Sequence, residues 1–133
     1  METNFEHMRM SASEIAYMIA IDETAKNCKT GEAMGKSVAE KRNLSRASTS
    51  RALNKLCAKK LLMRTEKNGY VLTDRGREVI GVYESCIRRV KEELAIRFGC
   101  RDAVAYEDAL RIVCALSGEN LSKLAKSEGE KCF

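Results

Sequence analysis

The sequence predicts a mainly α fold with a small β-hairpin wing: a winged helix-turn-helix followed by a helical domain. Three observations carry this expectation. An amphipathic segment with a basic, hydroxyl-rich outer side follows Ser45. An Asn68-Gly69 pair then joins two short β-prone runs, the chemistry of a tight hairpin. Beyond it, Val79, Tyr83, Cys86, Val90 and Leu94 keep three- and four-residue spacing, which predicts a long helix. The chain contains no proline, so its helices have few forced interruptions.

The elements follow in order. Ser11 or Ser13 caps a first helix over about Ser11 to Ala25, with Ile15, Met18, Ile19 and Asp22 at helical spacing. The polar stretch Asn27 to Gly31 breaks it. A short second helix is expected from Glu32 to about Arg42, weakened mildly by Gly35 inside it. Ser45 caps the third helix, because its hydroxyl can take a free N–H of the first turn. Thr49, Ala52, Leu53, Leu56 and Cys57 line one face of that helix, and Arg46, Ser50, Arg51, Asn54 and Lys55 project from the others. Leu61 to Thr65 and Tyr70 to Leu72 are the hairpin strands, with Lys67 at the tip. Thr73 caps the long helix, Asp74 suits its positive end, and Gly99 suits its C-terminal stop after Phe98. A further helix is expected over about Asp102 to Leu116, apolar around much of its circumference and therefore buried internally or between subunits. A last helix spans about Asn120 to Ala125, with a loose tail after Lys126.

Length and composition set the class. A chain of 133 residues suits one compact unit or two small subdomains. Hydrophobic residues at 44% can build a core, and no apolar run is long enough to span a membrane. The polar start, with Glu2, Glu6 and Arg9, does not resemble a signal peptide, so a cytoplasmic protein is expected. The six cysteines form no CxxC pair, which disfavours a zinc knuckle, and a reducing compartment disfavours disulfides. Most of them fall among apolar residues, as buried thiols do.

The net charge of +5 is unevenly placed. Residues 35–77 hold twelve basic and three acidic residues, whereas the flanking segments are slightly acidic. Such a stripe is the footprint of phosphate contact. A helix fits the major groove and presents its N-terminal side chains to base edges. The expected DNA-binding residues follow from this placement. Arg46 and Arg51 can offer forked donors to guanine, while Ser45, Ser48 and Thr49 sit where short side chains permit close approach. Arg42, Lys55, Lys59 and Lys60 suit phosphates, and Lys67 and Asn68 suit the neighbouring backbone or minor groove.

The segments SVAEKRNLSRASTSRALNKLCAKKLL from Ser37, YVLTDRGREVI, and FGCRDAVAYEDALRIVCALSGENLSKL resemble the metal-dependent repressors of the diphtheria toxin repressor and manganese transport regulator family. The last segment carries the likeness most specifically, in its FG, short spacer, two-acid step, helix and Leu116-Ser117. With the first helix, the resemblance spans Ser11 to Leu124. It implies a DNA-binding domain over residues 11–73, a helical dimerisation domain over residues 74–127, a homodimer, a palindromic duplex, and control by divalent manganese or iron. The ligand positions it implies fall at Glu14 and Tyr17, at Ile87 or Arg88, and at Leu110, Val113 and Cys114. Of these, only Glu14 and Cys114 carry a suitable donor, and the one histidine of the chain, His7, lies at its start. The expectation is a metal site that has been lost, with Leu110 and Val113 filling it. Cys86, Cys100 and Cys114 read as small apolar residues, with a thiol sensor or soft-metal site as the alternative.

An enzyme is not expected. The chain has no Gly-rich phosphate loop, no HExxH motif, and no histidine in its folded part to act as a base. Glu92-Glu93 and Glu107-Asp108 are adjacent pairs that diverge on a helix. The remaining alternatives are a winged-helix interaction module without DNA binding and a MarR-type regulator, which builds its dimer from both chain ends.

Overall fold

A computed structural model of the protein describes residues 9–127. His7, Cys132 and all but Ser127 of the tail expected to be loose after Lys126 lie outside the described residues; Ser127 is the last residue of the last helix. Six helices and one hairpin follow in the order α1 (Ala12–Lys26), α2 (Gly35–Arg42), α3 (Arg46–Ala58), β1 (Leu62–Arg64), β2 (Tyr70–Leu72), α4 (Asp74–Phe98), α5 (Asp102–Ala115) and α6 (Gly118–Ser127). This is the mainly α fold with a hairpin wing that the sequence predicts. The chain divides into two compact units, one over Ser13–Ile80 and one whose described part is residues 9–12 with 81–127.

In the unit over Ser13–Ile80, Ile15, Met18, Ile21, Val38, Leu53, Leu56 and Leu61 are fully buried. The turn between α2 and α3 closes because Asn43 adopts a left-handed conformation, φ 54°, and Leu44 N–H reaches back to the Ala39 carbonyl at 3.0 Å. Ser45 then caps α3 as expected, its Oγ accepting from Ser48 N–H at 3.1 Å. In the hairpin, Leu62 pairs with Leu72, Met63 with Val71 and Arg64 with Tyr70. Asn68 alone in the turn takes positive φ, 64°.

One boundary differs from expectation. Glu32, Ala33 and Met34 are not helical; Ala33 exchanges two backbone hydrogen bonds with Tyr70, at 2.9 and 2.7 Å. That pairing extends the hairpin by one bridge and holds the segment open until Gly35, which starts α2 instead of weakening its interior. Thr73 caps α4 by accepting from Gly76 N–H at 3.0 Å while donating to the Lys60 carbonyl at 2.8 Å. Gly76 is required there on steric grounds, since a Cβ would land on the Leu61 carbonyl oxygen.

The other unit has Met10, Tyr83, Cys86, Ile87, Ala105, Ala109, Val113 and Leu121 among its buried residues. Met10 N–H donates to the Tyr83 hydroxyl at 3.4 Å, and Lys91 pairs with Asp102 at 3.1 Å to tie α4 to α5. Gly99, φ 65°, ends α4 as its sequence position predicts, with Cys100 N–H bonded to the Leu94 carbonyl at 3.2 Å. Helix α6 starts earlier than expected because Ser117 Oγ caps it, accepting from Asn120 N–H at 3.1 Å. Helix α5 keeps part of its apolar surface exposed, at Val104 and Ile112, and Ile96 and Phe98 of α4 are 82% and 73% exposed.

Candidate nucleic-acid interface

Positive charge concentrates in the unit over Ser13–Ile80, with fourteen basic against eight acidic residues; the rest of the chain has ten against eleven. Within that unit, α3 divides cleanly into two sides. Thr49, Leu53 and Leu56 point inward and are buried. Arg46, Ser48, Ser50, Arg51, Asn54 and Lys55 are exposed. Arg51 Nη2 lies 3.5 Å from Ser48 Oγ, a weak tether that leaves the guanidinium at the surface. On the wing, Lys67 and Asn68 are exposed at the tip and Arg64 lies 5.1 Å over the Tyr70 ring. Two elements of one unit, α3 and the hairpin, thus expose basic side chains.

Four of the sequence-predicted residues are engaged inside the unit. Thr49 is 1% exposed, so it cannot reach a base edge; this corrects the expectation that a short side chain at that position approaches DNA. Its hydroxyl belongs to the inner face that helical spacing also assigns it, and it has no hydrogen-bond partner there. Ser45 is exposed, yet its hydroxyl is committed to capping α3. The Arg42 guanidinium stands 5.2 Å over the Tyr17 ring, with Nε buried and without a hydrogen-bond partner. Lys59 pairs with Glu14 at 2.6 Å, fixing the end of α3 to α1.

Two residues were not singled out from the sequence. Arg64 is exposed at the end of β1, and its signal was present as a basic residue in an otherwise apolar strand. Glu32 is a buried carboxylate whose Oε1 accepts from Thr65 Oγ1 at 2.8 Å. No local pattern marks it, because its partner lies 33 positions away.

The side chains at the positions where the resemblance implies metal ligands do not fit a divalent cation. Glu14 is already neutralised by the Lys59 ammonium. Tyr17 is buried beneath Arg42, and Ile87, Leu110 and Val113 are buried hydrocarbon with no donor atom. Cys114 remains as a half-buried thiol. Among the described residues, no three His, Cys, Asp or Glu side chains converge as a metal site needs. The cysteines are more varied than the sequence suggests: Cys86 is buried, Cys57, Cys100 and Cys114 are half-buried, and Cys28 is exposed. No helix among the described residues is long and apolar enough to cross a membrane.

Solved structures share this fold. A hypothetical protein of Sulfolobus solfataricus is 22% identical, with 93% of each chain covered and a TM-score of 0.69. The metal-dependent transcriptional regulator MtsR is 20% identical over 88% of this chain, with a TM-score of 0.72. IdeR of T. acidophilum is 19% identical over 92% of this chain, with a TM-score of 0.65. The chain spans only 54% of the length of MtsR and 56% of that of IdeR. No protein-family model matches the sequence, and no curated protein matches it. The structural neighbours thus include metal-dependent transcriptional regulators, and at these identities the likeness shows a common fold.

Proposed function

We propose that the protein is a dimeric, sequence-specific DNA-binding transcriptional regulator, a repressor that acts in the cytoplasm without the divalent metal implied by its resemblance. One observation carries the reading. The outer side of α3 presents Arg46, Ser48, Arg51 and Lys55 to solvent, while its inner side is buried. In the major groove, Arg46 and Arg51 supply bidentate donors to guanine O6 and N7, each worth about 1–3 kcal/mol of discrimination. Lys55 and the wing residues Lys67 and Asn68 contact the phosphate backbone, which gives affinity and register but no sequence information. MtsR and IdeR support the regulatory role by fold.

The dimer is supported by the exposed Ile96, Phe98, Val104 and Ile112. Apolar groups of that size, left in water on α4 and α5, favour association with a second copy. Metal independence is supported by the Lys59–Glu14 pair and by the hydrocarbon at Ile87, Leu110 and Val113.

The test is binding of the purified chain to genomic duplex fragments across a salt series, with chelator and with added manganese or iron. The expected result is binding whose logarithm falls linearly with log salt and which chelator leaves unchanged. Replacing Arg46 and Arg51 together by Ala abolishes sequence preference. Binding that appears only with metal refutes metal independence. No binding under any condition refutes the DNA reading and favours the interaction module.

A further inference from the structure

The wing tip holds two of the residues to which DNA contact is assigned above, yet its own strands are only three residues each. A hairpin that short does not fix its own tip. The groups that fix it come partly from outside. Thr65 N–H donates to the Gly69 carbonyl at 2.9 Å, and Asn68 N–H to the Thr65 carbonyl at 3.0 Å. Gly69 N–H donates to Thr65 Oγ1 at 2.9 Å. That same hydroxyl gives its proton to Glu32 Oε1, in the loop between α1 and α2. A hydroxyl has one proton and two lone pairs, so the carboxylate settles which way it turns and leaves a lone pair for Gly69. Glu32 is 9% exposed and packs so closely that a Cβ at Gly69 would collide with its carboxylate. Next to it, the Ala33–Tyr70 bridge holds the loop against β2.

We infer that Glu32 is a positioning residue for nucleic-acid binding, which acts through Thr65 and Gly69 to set where Lys67 and Asn68 are presented. The inference rests on the DNA-binding reading. Its sign separates it from a simple charge effect. A carboxylate in a phosphate-binding unit repels DNA, so an effect of charge alone would make Glu32→Ala bind more tightly. A positioning role makes Glu32→Ala bind more weakly. It also makes Glu32→Gln bind at least as well as the parent chain, because the amide keeps an acceptor oxygen and drops the charge.

The experiment measures duplex affinity of the full chain across a salt series for the parent, Glu32→Ala and Glu32→Gln, each with and without Lys67→Ala. The parent and Glu32→Gln are expected to lose about one unit of salt slope on Lys67→Ala. Glu32→Ala is expected to have lost it already, so that Lys67→Ala adds little in that background. Without DNA, amide exchange at Gly69 rises roughly tenfold in Glu32→Ala, the scale of one hydrogen bond, while Leu53 and Leu56 amides are unchanged. The positioning role is refuted if Lys67→Ala has the same effect in all three backgrounds, if Glu32→Ala binds more tightly, or if all amides accelerate together. A parent chain that binds no duplex at any salt refutes the DNA reading itself and takes the positioning role with it.

Discussion

Thr49→Val should stabilise the protein. The Thr49 side chain is 1% exposed, and its hydroxyl makes no hydrogen bond. A buried hydroxyl without a partner costs about 1–3 kcal/mol relative to its hydrated state in the unfolded chain. Valine has nearly the same shape, the same branching at Cβ and a similar helix propensity, so it removes that cost without opening a cavity. The neighbours on the same face, Leu53 and Leu56, are apolar and buried, which favours a methyl over a hydroxyl. The expected gain is about 1–2 kcal/mol. In a chain of 133 residues each kcal/mol moves the melting temperature by roughly 3–5 °C. Urea unfolding followed by circular dichroism reads the gain as a higher midpoint at unchanged slope. A midpoint that stays or falls means that the hydroxyl finds a partner in solution, and the reasoning fails. Duplex affinity measured on the same variant should equal that of the parent; a loss would return Thr49 to the contact surface.

Two glycines of α4 should respond oppositely to alanine. At Gly81 an added Cβ meets nothing within 4 Å, so Gly81→Ala gains about 0.5–1 kcal/mol of helix propensity. At Gly76 it meets the Leu61 carbonyl oxygen, so Gly76→Ala costs about 1–3 kcal/mol despite the same propensity gain; equal midpoints for the two variants would refute this. Thiol reactivity should also split. The Thr30 side-chain hydrogen bond at 3.2 Å, helped by the Thr30 backbone, holds the exposed Cys28 thiol below its ordinary range, whereas burial pushes Cys57 up against the opposing charge of Arg64. The thiolate is the reacting form, so as pH rises Cys28 ionises first and is alkylated by iodoacetamide before Cys57. Peptide mapping that finds Cys57 labelled first would overturn the assignment.

The features legible in the sequence are those whose cause lies within a few residues. Ser45, Thr73 and Gly99 mark helix ends because a cap satisfies backbone groups of the adjoining turn. Asn68-Gly69 marks the wing because positive φ is a local demand, although only Asn68 takes it. Gly69 is needed for a different reason, the closeness of Glu32. Helical spacing likewise places Thr49 on the same apolar face as Leu53 and Leu56, the face that the structure buries.

The sequence by itself determined the kinds of element, their order and the concentration of positive charge over residues 35–77, because propensity, capping and charge are carried by neighbouring residues. Tertiary structure alone decided which polar groups are left for a partner. Glu14 meets Lys59 across 45 positions and Glu32 meets Thr65 across 33, while Arg42 stacks on Tyr17 and Ala33 bridges to Tyr70. Each such contact removes a side chain or a segment from the surface or from a helix. None has a local signature, since the residue that satisfies it is brought close only when the chain is folded.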